Sequence, residues 1–196
     1  MRKTDLSPER RELLVPVEGS SGAFALIPPP TPRLLELKGL KGEVTRAYEA
    51  LDTLKALTAG LPNPNLVTRT SDRREAVRSS QIEGTHTDVN ELLTYEATGS
   101  DEGLPPDVQV TLNYVKALEY GLQRVRDSGP AALNCDLIME LHAHLMTGVK
   151  EFTGTPGKFR EKQNWIGGLN IYQARFVPPP HGNVQACMDD LEQLLQ

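Results

Sequence analysis

The residues with the clearest capacity for chemistry lie in SSQIEGT, Ser79 to Thr85. Glu83 stands directly before Gly84, and Ser79 lies one helical turn upstream, close to the same face. A glycine after a charged helical run is a stop signal, because it takes a positive backbone φ with little penalty. The pattern therefore predicts a carboxylate held at a helix C-terminus. The negative end of the helix dipole disfavours an anion there, so a cationic partner is expected to compensate it. The same pattern is also what an ordinary surface helix terminus looks like.

A second chemical stretch is FTGTPGKFREKQNWIGGLNIYQARFVPPP, Phe152 to Pro180. Arg160, Lys162, Asn164 and Arg175 give it a polar, partly basic surface, suited to a phosphate-bearing ligand or an acidic partner and equally to ordinary solvation. Its glycines lack the spacing of a nucleotide-binding phosphate loop, since GTPGK has no following Ser or Thr. NWIGG and YQARFV predict two short strands joined through Gly167, Gly168, Leu169 and Asn170, with Trp165 or Phe176 fixing the hairpin to the body.

The four histidines carry weaker signals. His142 and His144 are two residues apart and point to different faces of one helix, unlike an i,i+4 zinc pair, so one is expected to pack and the other to face solvent. His86 has no second ligand at suitable spacing and reads as a surface or locally bonded residue. Cys135 and Cys187 form no metal-type spacing and read as reduced thiols of a cytoplasmic protein.

These stretches are set among helical runs. The apolar periodicity predicts helices over Glu43 to Ala59, Asp72 to Glu83, Val108 to Arg126, Asn134 to Met146 and Val184 to Leu195, with a short one after THTD capped by Thr87 with Asn90 or Glu91. In the second of these, Ala76, Val77, Ser80 and Ile82 are expected to face inward. Met1 to Glu12 reads as a charged arm. LLVPVEG and GAFALIPPPTP read as an extended segment on the surface of the helical body, anchored by Phe24, Leu26 and Ile27. The fold class is all-α, with one β-hairpin. GSDEGLPPD is the natural boundary between residues 1–107, with a helix near 72–84, and residues 108–196.

The formal net charge of -5 gives no support to nucleic-acid binding driven by bulk charge. No apolar run approaches the roughly 20 residues that span a bilayer, so no membrane partner is expected.

Taken together, PPP after a short extended segment, SSQIEG, LHAHLMTG, and PGKFREKQNWIGG followed by ARFVPPP and an acidic amphipathic helix resemble the Fic, or Fido, family. The resemblance is to the class with an N-terminal inhibitory helix, and covers roughly Phe24 to Leu195. It implies an incomplete Fic-like helical bundle with a hairpin flap. It also implies transfer of AMP from ATP, with a divalent cation such as Mg2+, to a Ser, Thr or Tyr hydroxyl of a target protein. Glu83 would be the inhibitory carboxylate, with Ser79 orienting its turn and Gly84 releasing the chain. Asn164, Trp165, Ile166, Gly167 and Gly168, with Asn170, Ile171, Tyr172, Gln173 and Ala174 on the other side, would form the target-docking flap. A homodimer is a further partner the resemblance leaves open.

The family's catalytic loop runs from His-Pro-Phe to Gly-Asn-Gly-Arg, and these 196 residues contain no such loop. No catalytic residue, metal ligand or nucleotide-binding residue is therefore assigned. The chain alone is expected to be inactive and to hold no cofactor, as an engineered fragment, a cleavage product or a natural truncation. The alternative is a non-catalytic regulatory or protein-binding module that keeps the docking surface.

Overall fold

A computed structural model describes residues 3–35, 37–150 and 152–195, with the backbone alone for 64–67. The first two residues of the expected arm, and Gln196, lie outside them. The chain order is α1 (Pro8–Glu12), β1 (Leu14–Pro16), β2 (Phe24–Leu26), α2 (Lys41–Ala59), α3 (Pro64–Ile82), α4 (Val89–Thr98), α5 (Val108–Ser128), α6 (Cys135–Met146) and α7 (Val184–Leu195), with short 3-10 turns between some of them. The fold is mostly helical with one small antiparallel hairpin. No helix among the described residues is long and apolar enough to cross a membrane.

The chain divides into two compact units. One comprises residues 1–33, 121–143 and 150–196; the other comprises 34–120 and 144–149.

In the first unit, the stretch expected to lie extended on the surface folds back on itself as the β1–β2 hairpin, pairing Leu14 with Leu26, Val15 with Ala25 and Pro16 with Phe24. Its buried residues are Val17, Ala23 and Ala25 rather than the expected anchors Phe24, Leu26 and Ile27, which are only half-buried. Small side chains let the hairpin sit close against Ile171, Ala174 and Val177, forming one apolar cluster. The Leu26 N–H also donates to the Val177 carbonyl at 3.0 Å. The proline segment that follows is tied to α7 by Asp190, whose carboxylate accepts from the Thr31 N–H at 2.6 Å and pairs with Arg33.

The second unit has its core where α3, α4 and α5 meet. Ala76, Val77, Leu92 and Val115 are buried together, flanked by Val89, Leu112 and Tyr114. The backbone of α3 is helical from Pro64, where a short helical piece is also expected, and runs unbroken into the helix expected from Asp72; proline is tolerated in the first turn, where its missing N–H has no partner to lose. Asp88, rather than Thr87, caps α4. Its carboxylate accepts from the Asn90 and Glu91 N–H groups, while the Glu91 side chain accepts from the Asp88 N–H, completing a capping box.

Candidate functional site

The end of α3 is closed as its sequence suggests. Glu83 is the C-cap and Gly84 has φ 97°, in the left-handed region. The Thr85 N–H donates to the Ser80 carbonyl at 3.2 Å and the Gly84 N–H to the Gln81 carbonyl at 3.1 Å, the two bonds of a Schellman motif. The turn thus fixes where the chain leaves the helix and holds the Glu83 backbone in place. The Glu83 side chain is exposed, and among the described residues it has no hydrogen-bond or ion-pair partner. The expected compensating cation is not among those residues. Ile82, expected to face inward, is 83% exposed, because the inward face runs through Arg73, Ala76, Val77 and Ser80, and Ile82 falls outside that i, i+3, i+4, i+7 register.

Ser79 does not reach the turn. Its hydroxyl donates to Glu75 Oε1 at 2.8 Å, one turn back, and accepts from the Tyr114 hydroxyl at 3.4 Å. It therefore links the last turns of α3 to α5 instead of capping the helix end.

What holds α3 in place is a residue the sequence reading passed over. Arg73, 5% exposed, donates to both carboxylate oxygens of Glu96 on α4, at 3.3 and 2.8 Å. Its Nη1 lies 2.8 Å from Glu119 Oε1 on α5, close enough for an ion pair though not aligned as a hydrogen bond. Burial works to lower the Arg73 pKa, but the hydrogen bonds to Glu96 and the negative charges of Glu96 and Glu119 outweigh it and raise the value above the ordinary one. The spacing of Arg73 from Ala76, Val77 and Ser80 is the signal that could have found it: an arginine in register with a buried face needs acidic partners on the helices it meets.

Asp107 does comparable work beyond the turn. Its carboxylate accepts from the His86 N–H at 2.5 Å and the Thr87 hydroxyl at 2.6 Å, pinning the segment that leaves Gly84 to the start of α5. Burial tends to raise its pKa, but these bonds prevail and hold it below the usual carboxylate value. A third polar device lies deeper. Tyr95 donates to Gln109, Gln109 to Asn113, and buried Asn113 donates to the Leu145 and Thr147 carbonyls at 3.0 and 2.9 Å, satisfying the end of α6.

The flap segment belongs to the other unit, and the two expected strands are reduced to one antiparallel bridge. The Ile166 N–H donates to the Phe176 carbonyl at 2.8 Å and the Phe176 N–H to the Ile166 carbonyl at 3.1 Å. Between them the chain coils. Gly167 and Gly168 have φ 69° and 81°, and the Asn170 side chain accepts from the Tyr172 and Gln173 N–H groups, both at 3.1 Å. A Cβ on Gly168 would lie 2.4 Å from the Gln173 carbonyl oxygen, so only glycine permits this close fold. The flap is fixed to the body by Ile171, Ala174 and Val177, not by the expected Trp165 or Phe176. Trp165, Ile166, Leu169 and Tyr172 remain exposed, Leu169 at 91%. Asn164, Gly167, Gly168, Asn170 and Gln173 are exposed as well.

The histidines and cysteines settle into structural roles. His142 is half-buried, accepts the Gly157 N–H on Nδ1 at 2.9 Å and meets Phe152 edge-on; exposed His144 lies 4.5 Å from the Tyr120 ring. Both thiols are free. Burial, then the carboxylates of Glu192, Asp189 and Asp136, push Cys135 up to about 11, so it stays protonated. Among the described residues no group of three or more His, Cys, Asp or Glu side chains could hold a metal ion.

Residues 42–123, from the start of α2 into α5, match the family model of the Fic/DOC family N-terminal region. The match takes in Ser79, Glu83 and Gly84 and leaves the flap outside it. No curated protein matches the chain.

Proposed function

We propose that the chain is the regulatory region and the front of the core of a protein that transfers AMP from ATP to a Ser, Thr or Tyr hydroxyl of a target protein, restrained by Glu83. The observation that carries this reading is the Glu83 carboxylate. It projects from a closed helix end without a cation of its own among the described residues, within the segment that matches the Fic/DOC N-terminal region. In the resemblance, such a carboxylate pairs with an arginine of the catalytic loop and obstructs the γ-phosphate of ATP. A shielded Arg–carboxylate pair is strong, and an exposed carboxylate on a rigid turn reaches such a partner at little entropic cost.

ATP and its divalent cation do not fit the residues present. The sequence contains no His-Pro-Phe or Gly-Asn-Gly-Arg loop, and the described residues hold no metal-ligand cluster. No step of the transfer is therefore assigned to a numbered residue, and the 196-residue chain alone is predicted to be inactive. Asn164 to Gly168 and Asn170 to Ala174 are proposed to align the target segment. One bridge leaves backbone groups of the flap free for an added strand, beside exposed Trp165 and Ile166. A photo-crosslinker at Ile166 should capture the target near its modified hydroxyl; capture confined to distant target segments would remove the flap from this role.

The main test uses the protein with its catalytic loop. Glu83→Gly should raise AMP incorporation from labelled ATP by about tenfold or more, the scale set by losing one shielded charged contact. Unchanged incorporation at equal folding would overturn the assignment. The second reading is a non-catalytic module that binds the target. The coding sequence downstream of Gln196 separates the two: an intact loop supports the transferase, and a stop codon supports the module.

A further inference from the structure

A cleft of about 750 Å³ opens in the first unit between α6 and residues 152–164, with Val184 of α7 at its side. Its floor is apolar, built from Ile138, Met139, Phe152 and Phe159, and its polar lining is unusually basic for a chain of net charge -5. Lys158, Arg160 and Lys162 face Glu161, the one acid among the described lining residues. None of the three cations has an ion-pair partner among the described residues.

Arg160 is the telling residue. One terminal nitrogen donates to the Pro179 carbonyl, which orients the guanidinium. The other, Nη1, is buried and has no hydrogen-bond partner among the described residues. A buried charged donor left without an acceptor costs more than a neutral one, and an acceptor bound in the cleft would satisfy it. Burial lowers its pKa below the ordinary value, with no carboxylate opposing the shift, in contrast to Arg73. The backbone presenting it is rigid. Gly157, at φ 75°, donates its N–H to His142, and a Cβ there would meet Ala143 Cβ at 3.1 Å and the Met139 carbonyl at 3.2 Å. This clamps the turn before Arg160 against α6. Because His142 accepts on Nδ1, its neutral form carries the proton on Nε2, adding a donor to the lining.

We infer that this cleft binds the phosphate group of a phosphomonoester whose apolar body lies on Ile138, Met139 and Phe152, with Arg160 as the principal donor and Lys158 and Lys162 as flanking charges. A planar guanidinium matches a phosphate better than a lone ammonium does. The volume exceeds what an inorganic anion fills, and the apolar floor accounts for the remainder. The inference stands on the cleft's own residues and does not depend on Glu83 or on AMP transfer.

Phenyl phosphate, inorganic phosphate and phenol are the probes, titrated into the purified chain and followed through the backbone amides of residues 157–163 by NMR. Phenyl phosphate should bind saturably and about tenfold more tightly than inorganic phosphate, with phenol giving no comparable shifts. Arg160→Gln should weaken phenyl phosphate about tenfold, and the Lys158→Gln/Lys162→Gln double variant about fivefold, with affinity falling as salt rises. Should Arg160→Gln fail to fold for want of its bond to Pro179, the double variant decides, because both lysines are exposed. No saturable binding up to about 10 mM would overturn the inference. So would phenol matching phenyl phosphate, or unchanged affinity in the folded double variant. Tight inorganic phosphate with no gain from the phenyl ring would overturn the assignment of an apolar body.

Discussion

Helices α2 and α3 are each 19 residues long and lie in the same compact unit, yet they meet opposite fates. Helix α2 is rich in leucine, with Leu51, Leu54 and Leu57 at helical spacing, and none of its residues is buried. Helix α3 is far more polar, and still buries Arg73, Ala76, Val77 and Ser80. Apolar content therefore did not select the helix that packs. The inward face of α3 is built from small side chains, which let α4 and α5 approach, and from one arginine whose charge two carboxylates neutralise. Packing follows complementarity of shape and charge between neighbours, which a single helix's composition does not contain. The fixed helix is the one that ends at Glu83.

The largest effect should come from breaking that polar anchor. Arg73→Ala strips Glu96 and Glu119 of their common cation and leaves a gap beside Val77. A loss of about 3 kcal/mol is expected, within the range for breaking a buried pair. Chemical denaturation measures it, and a loss no greater than that of an exposed charge would mean that the apolar contacts of Leu92 and Val115 alone hold α3.

A smaller effect tests the segment that leaves the helix. Asp107→Asn keeps the shape but loses the charge that accepts from His86 and Thr87, which should cost about 1.5 kcal/mol. The sign of the pH dependence follows from the depressed pKa. Asp107 contributes its stability above its ordinary value of 3.8 and loses it as pH falls through the lower folded value. The gap between the native protein and Asp107→Asn should therefore be full at neutral pH and close below about pH 4. A gap that persists in acid would show that the asparagine acts through packing.

Much of this arrangement was legible from residue order, and the failures have physical causes. Helix existence, the stop at Gly84 and the opposed settings of His142 and His144 follow from local rules of spacing and backbone freedom. The β1–β2 hairpin was not legible, because its strands are three residues each and its stability comes from Ile171, Ala174 and Val177, far away in sequence. The flap strands were over-read, since alternation in NWIGG and YQARFV says nothing of the Asn170 turn that coils the chain between them. Arg73 was not singled out, although its register with Ala76 and Val77 places it on the same inward face. Glu83 was placed correctly at its helix end, but its expected cation is a long-range feature that local pattern could not locate.

The smallest effect is the most informative about α2. Leu51→Gln and Leu54→Gln change side chains that are 60% and 57% exposed, so each should alter stability by no more than about 0.5 kcal/mol in the purified chain. Burying a leucine contributes roughly 2 kcal/mol, so the double variant distinguishes a solvated stripe from a covered one without ambiguity. Denaturation at two protein concentrations makes the test complete. A small loss at both keeps α2 as the solvated counterpart of α3. A loss of several kcal/mol that grows with concentration would mean that the leucines pack against another copy in solution, and the contrast would then lie between two buried helices that recruit their neighbours from different chains.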